Sequence, residues 1–79
     1  REILAFHGFG SLSLTEKVAR VLADCGEYDV VLFGHTHSPV VEKRGSLLVN
    51  PGEASGKLTG RKTAALVDLE NLEAEIVEL

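Results

Sequence analysis

The sequence predicts an α/β fold in which a strand–helix–strand unit is followed by antiparallel hairpins in a mixed sheet. Apolar residues recur at a helical period between two short apolar runs, and the second half alternates apolar and polar residues around tight turns. The chain has 79 residues and one cysteine, with eight Lys and Arg against twelve Asp and Glu. This length permits one small domain, and a single cysteine excludes the disulfide-stabilised class.

The composition also bears on location and partners. No apolar run approaches the roughly 20 residues that span a bilayer, and the start lacks the layout of a signal peptide. A net charge of −4 argues against general nucleic-acid binding. Without such an apolar run we expect no membrane contact, and a single cysteine in a predicted core position, Cys25, fits a reducing cytoplasm, where we expect the protein to be. Because the chain starts at Arg1 and enters a strand directly, we expect a piece of a longer protein; the alternative is a processed or trimmed chain.

The first two elements are predicted to be a strand and a helix. Glu2–His7 is a short apolar run that ends at glycine, which is typical of a buried strand. Ser11–Cys25 has a helical period, with a capping box at Ser13 and Glu16 and a left-handed terminator at Gly26. The core-facing stripe predicted for this helix comprises Leu14, Val18, Val21, Leu22 and Cys25.

The next run, Asp29–Phe33, is apolar at successive positions, which indicates a central strand covered on both faces. It completes a βαβ unit, whose ligands gather at the carboxyl ends of the strands. The turn at residues 50–53 and the glycine-containing loop at 54–62 separate two predicted hairpins. These are Val40–Lys43 with Ser46–Val49 about Arg44-Gly45, and Thr63–Leu69 with Leu72–Leu79 about Glu70-Asn71.

All three histidines follow predicted strands. His7 ends the first strand, and His35 and His37 follow the second. In extended backbone, residues i and i+2 point to one side, so the latter two rings are expected to share one small volume. Imidazole suits borderline divalent cations. We expect His7, His35 and His37 to be metal ligands; the alternative is a group of surface histidines that form hydrogen bonds in loops.

These motifs resemble the carboxyl half of the calcineurin-like metallophosphoesterases, in particular the small single-domain phosphodiesterases of prokaryotic type. The resemblance rests on Gly34-His35-Thr36-His37 after an apolar strand, then Pro39 and Asn50-Pro51-Gly52, with His7-Gly8 upstream. It extends over nearly the whole chain. It implies that residues 1–79 form the carboxyl-terminal half of a single domain, and half of a four-layer αββα sandwich.

The resemblance also implies a function and a site. The expected activity is metal-dependent hydrolysis of phosphate diesters by a two-metal mechanism, with a small phosphodiester as substrate. His7 and His35 would bind one divalent cation and His37 the other, and His35 and His37 would serve catalysis as ligands. Manganese is favoured, with nickel, zinc and iron(II) as alternatives.

The chain lacks the acidic motifs that complete this site in the family. Two dications about 3.5 Å apart repel by on the order of 20 kcal/mol at an effective dielectric constant near 20, and neutral imidazoles do not offset that repulsion. We therefore expect a missing amino-terminal half of the same domain to supply the carboxylates, and the chain alone to be inactive. Assembly into a homo-oligomer is compatible with this expectation.

Several other positions have open interpretations. Phe9 stands where many family members have a second histidine, which makes the adjoining pocket more apolar. Glu53 is either a hydrogen-bond acceptor for a ligand histidine or a solvated loop carboxylate. The cations Lys57, Arg61 and Lys62 form either an exposed turn or a contact for substrate phosphate.

Two other functions are compatible with the sequence. The first is a catalytically degenerate interaction scaffold, which the same fold forms in retromer-type assemblies, although three convergent imidazoles have no purpose in a scaffold. The second is a mononuclear zinc site made of the three histidines.

Overall fold

One helix and six strands form a three-layer arrangement in the computed structural model, which describes residues 1–79. The helix packs on one face of a four-stranded sheet, and a two-stranded sheet packs on the other. In chain order the elements are β1 (Ile3–Phe6), α1 (Leu12–Cys25), β2 (Val30–Phe33), β3 (Val40–Lys43), β4 (Leu47–Asn50), β5 (Thr63–Asp68) and β6 (Glu73–Glu78). The predicted α/β class is confirmed.

The four-stranded sheet is mixed, with strand order β1-β2-β4-β3. β1 and β4 both run parallel to β2, with Ile3 and Leu47 opposite Val30, while β3 and β4 form an antiparallel hairpin. α1 is the crossover of the predicted βαβ unit. The β5–β6 hairpin forms the second sheet, with Thr63 opposite Glu78.

The core lies on both faces of β2, as its continuous apolar sequence predicts. On the helix side, Val31 and Phe33 pack with Leu48 of β4 and with two alanines of α1. On the other side, Val30 packs with Leu47 and Val49, which are covered by residues of the β5–β6 hairpin. β1 differs from its predicted buried state, because it is the edge strand and Ile3 is 44% exposed.

The buried face of α1 is not the predicted one. It consists of Thr15, Ala19 and Ala23, whereas Leu14 and Val21 are exposed. Cys25 is exposed as well. The face is rotated by about one residue, roughly 100°, because small side chains allow the helix to approach the sheet closely.

The ends of α1 are fixed by capping residues. The N-cap is Ser11, whose side chain accepts a hydrogen bond from the Leu14 N–H at 3.1 Å; the predicted capping box at Ser13 is not used. Gly26 ends the helix in the left-handed conformation at φ 70°, as predicted. This helix is neither long enough nor apolar enough to cross a membrane.

The ion pairs between α1 and β3 predict that stability falls in acid. Glu42 accepts hydrogen bonds from Arg20 at 3.1 and 3.3 Å and from Arg44 at 2.9 Å. The bond from Arg20, followed by that from Arg44, holds the pKa of Glu42 below its ordinary value of 4.5. Such a carboxylate stabilises the fold above its unfolded-state pKa, and this contribution is lost as the pH falls through the lower folded-state pKa.

We therefore expect E42Q to lower the urea midpoint at neutral pH, and we expect this difference from the wild type to disappear as the pH falls through the lowered pKa of Glu42. The effect is small, because the side chains of Arg20 and Glu42 are each 34% exposed. Glu73→Gln, in the more exposed pair with Lys43, is the control and is expected to change neither midpoint. Equal midpoints for E42Q and wild type at neutral pH would contradict the prediction.

Candidate metal centre

Parallel pairing of β1 and β2 brings the histidines together at one edge of the sheet. The Gly34 N–H donates to the His7 carbonyl oxygen at 3.0 Å, which continues the ladder past the ends of both strands. The His7 and His35 rings have centroids 5.2 Å apart at an interplanar angle of 61°. The predicted proximity of these two side chains is therefore observed.

The turn that carries His35 and His37 is not extended, contrary to the sequence-based expectation. Both residues have left-handed backbone, with φ 69° and 62°. This conformation costs of order 1–3 kcal/mol per non-glycine residue and is concentrated at functional sites. The predicted extended backbone is therefore wrong, and the two side chains have different hydrogen-bond partners, Gly10 for His35 and Glu53 for His37.

A buried polar contact beneath the turn fixes its backbone. Thr36, between the two histidines, is 8% exposed, and its hydroxyl accepts a hydrogen bond from the Asn50 amide at 2.9 Å. The Asn50 side-chain oxygen in turn accepts from the Gly52 N–H at 2.9 Å. Asn50 is fully buried. Thr36 and Asn50 thereby join the Asn50-Pro51-Gly52 turn directly to the histidine turn.

The hydrogen bond of His35 determines which of its nitrogens remains free. Its Nε2 lies 3.0 Å from the Gly10 carbonyl oxygen. Because a carbonyl only accepts, this contact requires a proton on Nε2, and in the neutral ring Nδ1 then holds the unshared pair. Gly10 was not singled out in the sequence, and only its place in the Gly8-Phe9-Gly10 segment after β1 suggests a loop that returns toward the site.

The contact of His37 leaves the opposite nitrogen free. Its Nδ1 lies 2.6 Å from Oε2 of Glu53, a residue only 6% exposed. Oε1 of the same carboxylate accepts from the N–H groups of Leu58 at 2.8 Å and Thr59 at 3.1 Å. Of the two interpretations of Glu53, the structure therefore supports the acceptor for a histidine.

Hydrogen bonds stabilise the negative charge of Glu53 in its buried position. Burial raises the pKa of its carboxyl, but hydrogen bonds from the Thr59 and Leu58 backbone and from His37 outweigh burial, so the pKa is below its ordinary value. The carboxylate is thus ionised at neutral pH. Its negative charge faces His37 and favours a protonated Nδ1.

Gly8 allows the close approach of the loop after β1 to the histidine turn. A Cβ at this position would lie 2.7 Å from the His35 Cβ and 2.7 Å from the Thr15 Cγ2, and the backbone has φ 131°. The Thr15 hydroxyl also donates to the Phe9 carbonyl oxygen at 2.9 Å. Thr15 was not predicted as a site-supporting residue, although a threonine among apolar helical residues is a weak indication of such a contact. Gly34 is less constrained, since its Cβ would be 3.6 Å from the nearest atom.

The three rings do not converge on a single point. No three His, Cys, Asp or Glu side chains form a group able to hold one metal ion. His7 and His35 form one imidazole pair, while His37 is bound to Glu53. This geometry does not provide the mononuclear three-histidine zinc site. The donors fit part of a larger site, because unprotonated imidazole nitrogens suit borderline divalent cations.

The basic loop lies on the surface. Arg61 pairs with Glu78 at 2.6 Å, and both side chains are more than half exposed. Lys57 and Lys62 are also exposed. The N–H groups of Leu58 and Thr59 join this loop to the site through the carboxylate of Glu53.

Comparison with known families agrees with this geometry. The sequence model of the calcineurin-like phosphoesterase superfamily domain matches residues 1–72. The chain belongs to this superfamily, as its motifs predicted.

Individual relatives are phosphodiesterases or share the fold. A phosphodiesterase of Methanocaldococcus jannaschii is 44% identical over 59 residues, which cover 73% of this chain and 36% of the relative. The structure of an archaeal phosphodiesterase matches 98% of this chain and 44% of its own, with a TM-score of 0.73 and 37% identity. A Thermotoga maritima protein solved by NMR matches 98% of this chain and 47% of its own, with a TM-score of 0.52 and 29% identity. This chain therefore spans less than half the length of these relatives.

Proposed function

We propose that the complete protein is a metal-dependent phosphodiesterase and that this chain supplies the histidine part of its active site. The observation that carries the proposal is the pairing of the His7 and His35 rings beside the turn that holds His37. Membership of the calcineurin-like superfamily and the phosphodiesterases among its relatives support the reaction class.

We assign His7 and His35 to one divalent cation and His37 to a second, with manganese favoured over nickel, zinc and iron(II). His35 offers Nδ1 and His37 offers Nε2, because Gly10 and Glu53 occupy the other nitrogens. When bound, such cations supply Lewis acidity toward phosphate oxygens and a water of lowered pKa. The catalytic role proposed for His35 and His37 is to hold and orient the two cations.

The side chains of this turn contribute pre-organisation. Thr36 and Asn50 hold its backbone, and the two histidine protons are already donated to fixed acceptors. The rings therefore need little reorganisation when cations bind. Phe9, next to Gly8 and 53% exposed, presents an apolar surface at the same sheet edge, where an organic group of a small phosphodiester would pack.

We propose that the carboxylates whose negative charge a dinuclear site requires lie outside this chain. Glu53 is already bound to His37 and two backbone amides, and no acidic cluster adjoins the His7–His35 pair. We propose that the amino-terminal half of the same domain provides the missing carboxylates. In this proposal residues 1–79 are the carboxyl-terminal half of one domain and are inactive alone.

We propose that the amino-terminal half packs against an apolar groove of this chain. The groove has a volume of about 510 Å³ and lies beside His7, between the four-stranded sheet and β5. Its lining includes Ala5, Leu32, Val49, Ala65 and Val67. β1 adjoins it as an edge strand with unpaired backbone groups, which is where a sheet accepts a further strand. Association of complete copies and a cytoplasmic location are compatible with this proposal.

The scaffold alternative is not favoured. A degenerate interaction module would have no use for two histidines held in left-handed backbone with fixed acceptors. Strain of this kind is retained where geometry serves a site.

The proposal is tested on the complete protein, stripped of metal and then loaded with manganese or nickel. We expect hydrolysis of bis-p-nitrophenyl phosphate only after loading, and elemental analysis should find two metal ions per protein. The control is Glu73→Ala, a surface change on β6 that should leave turnover unaltered. Absence of both metal binding and turnover would overturn the proposal.

A further inference from the structure

The two oxygens of the Glu53 carboxylate have separate partners. Oε2 faces Nδ1 of His37 at 2.6 Å, and Oε1 accepts from the N–H groups of Leu58 and Thr59. The Glu53 carbonyl oxygen also accepts from the Thr63 N–H at 3.2 Å, so its backbone is tied to the start of β5. Glu53 is therefore held by contacts at both carboxylate oxygens and at its carbonyl oxygen, which keep the carboxylate facing His37.

This contact determines the protonation pattern of the His37 ring. A carboxylate oxygen and an unprotonated ring nitrogen are both acceptors, so a distance of 2.6 Å requires a proton on Nδ1. In the neutral ring, Nε2 is then the only nitrogen that offers a lone pair. His7 and His35 do not contact Glu53, so the effect is confined to one of the three histidines.

We infer that Glu53 is a positioning residue that fixes His37 as the Nδ1-protonated form and so presents Nε2 for metal binding. The inference rests on the proposed function for the identity of the bound group. It adds a role for a carboxylate that does not itself bind the cation. Partners of this kind typically contribute 10- to 100-fold to metal affinity.

Glutamine at position 53 separates this role from the support of the loop. Two N–H groups point at Oε1 and one ring nitrogen at Oε2, so the glutamine carbonyl is expected to face Leu58 and Thr59. Its NH2 group then faces His37 and donates to Nδ1. The loop keeps its two acceptor contacts, whereas the ring proton is driven to Nε2, where it blocks the nitrogen offered in the wild type.

The test combines NMR of the metal-free complete protein with calorimetric titration of manganese. Nitrogen-15 shifts of the His37 ring should report a protonated Nδ1 in the wild type and a protonated Nε2 in E53Q. Manganese affinity of the His37 site in E53Q should fall by about 10- to 100-fold. The Leu58 and Thr59 amide signals should move little, since their acceptor is retained.

Glu78→Gln is the matched control, because Glu78 pairs with Arg61 of the same loop and does not contact His37. It should keep the wild-type tautomer and affinity. An equal loss of affinity in E78Q, or wild-type affinity in E53Q, would overturn the inference. If E53Q does not fold, the nitrogen-15 shifts of the His37 ring in the wild type still test the inference. A proton found on Nε2 instead of Nδ1 would overturn it. A wild-type protein that binds neither manganese nor nickel and hydrolyses no diester would instead overturn the proposed function, while the tautomer shifts still test the role of Glu53.

Discussion

His35→Ala in the complete protein is expected to abolish measurable phosphodiester hydrolysis and to weaken manganese binding by more than about 100-fold. Loss of a residue that only orients a metal ligand costs 10- to 100-fold, so loss of a ligand should cost more. The substitution removes one ring of the His7–His35 pair and also the hydrogen bond to the Gly10 carbonyl oxygen. Metal binding and the loop after β1 are therefore affected together.

The measurement is turnover of a model diester at increasing manganese concentration, with calorimetry for affinity. Ser38→Ala is the control, because Ser38 lies in the same turn, is exposed, and has no side-chain hydrogen bond. It should retain wild-type turnover. Activity of H35A that returns to the wild-type level at saturating manganese would remove His35 from the ligand set.

Gly8→Ala is expected to lower the free energy of unfolding by about 1–3 kcal/mol through overpacking, and to displace His35. The added Cβ would lie 2.7 Å from the His35 Cβ and from the Thr15 Cγ2, in a backbone conformation that L-residues rarely adopt. Thr15 is fully buried at the helix–sheet contact, so it has little room to move. The turn at His35 must shift instead, and manganese affinity should fall with stability.

Urea denaturation and manganese titration measure these two effects. Gly60→Ala is the matched control, since Gly60 also has positive φ, at 77°, but has no neighbouring atom within 4 Å of the position of a Cβ. Alanine at position 60 therefore tests a positive-φ backbone without the collision. If G8A and G60A lose equal stability and both keep wild-type affinity, close packing of Gly8 against His35 plays no part in the site.

The sequence predicts the order of strands and helix because each element is encoded by a pattern of apolar residues within its own segment. The run at Val30–Phe33 is apolar at successive positions and becomes the central strand, and the helical period from Leu12 to Cys25 becomes the crossover. Tight-turn residues at Arg44-Gly45 mark the first hairpin. The edge position of β1 is not a local property, because it depends on which strands pair with β2.

The sequence-based predictions fail for features that depend on how closely two elements approach each other. Side-chain hydrophobicity predicts an apolar stripe on α1 that differs from the buried face, because the close contact with the sheet favours the small residues Ala19 and Ala23. The i, i+2 spacing predicts extended backbone for the histidine turn, whereas the backbone is left-handed on either side of Thr36, which accepts a hydrogen bond from Asn50, fourteen residues away. The same limit left Glu53 undecided, since its contact with His37 is formed only when β4 and the turn meet.

The left-handed backbone at positions 35 and 37 restricts how this centre can be redesigned. Among residues other than glycine, asparagine, aspartate and histidine adopt that conformation most readily, whereas a β-branched residue would be severely strained. Replacing nitrogen donors by the oxygen donors of aspartate or asparagine is therefore the change that the backbone tolerates best. Such exchanges would move the preference toward harder cations such as magnesium and calcium.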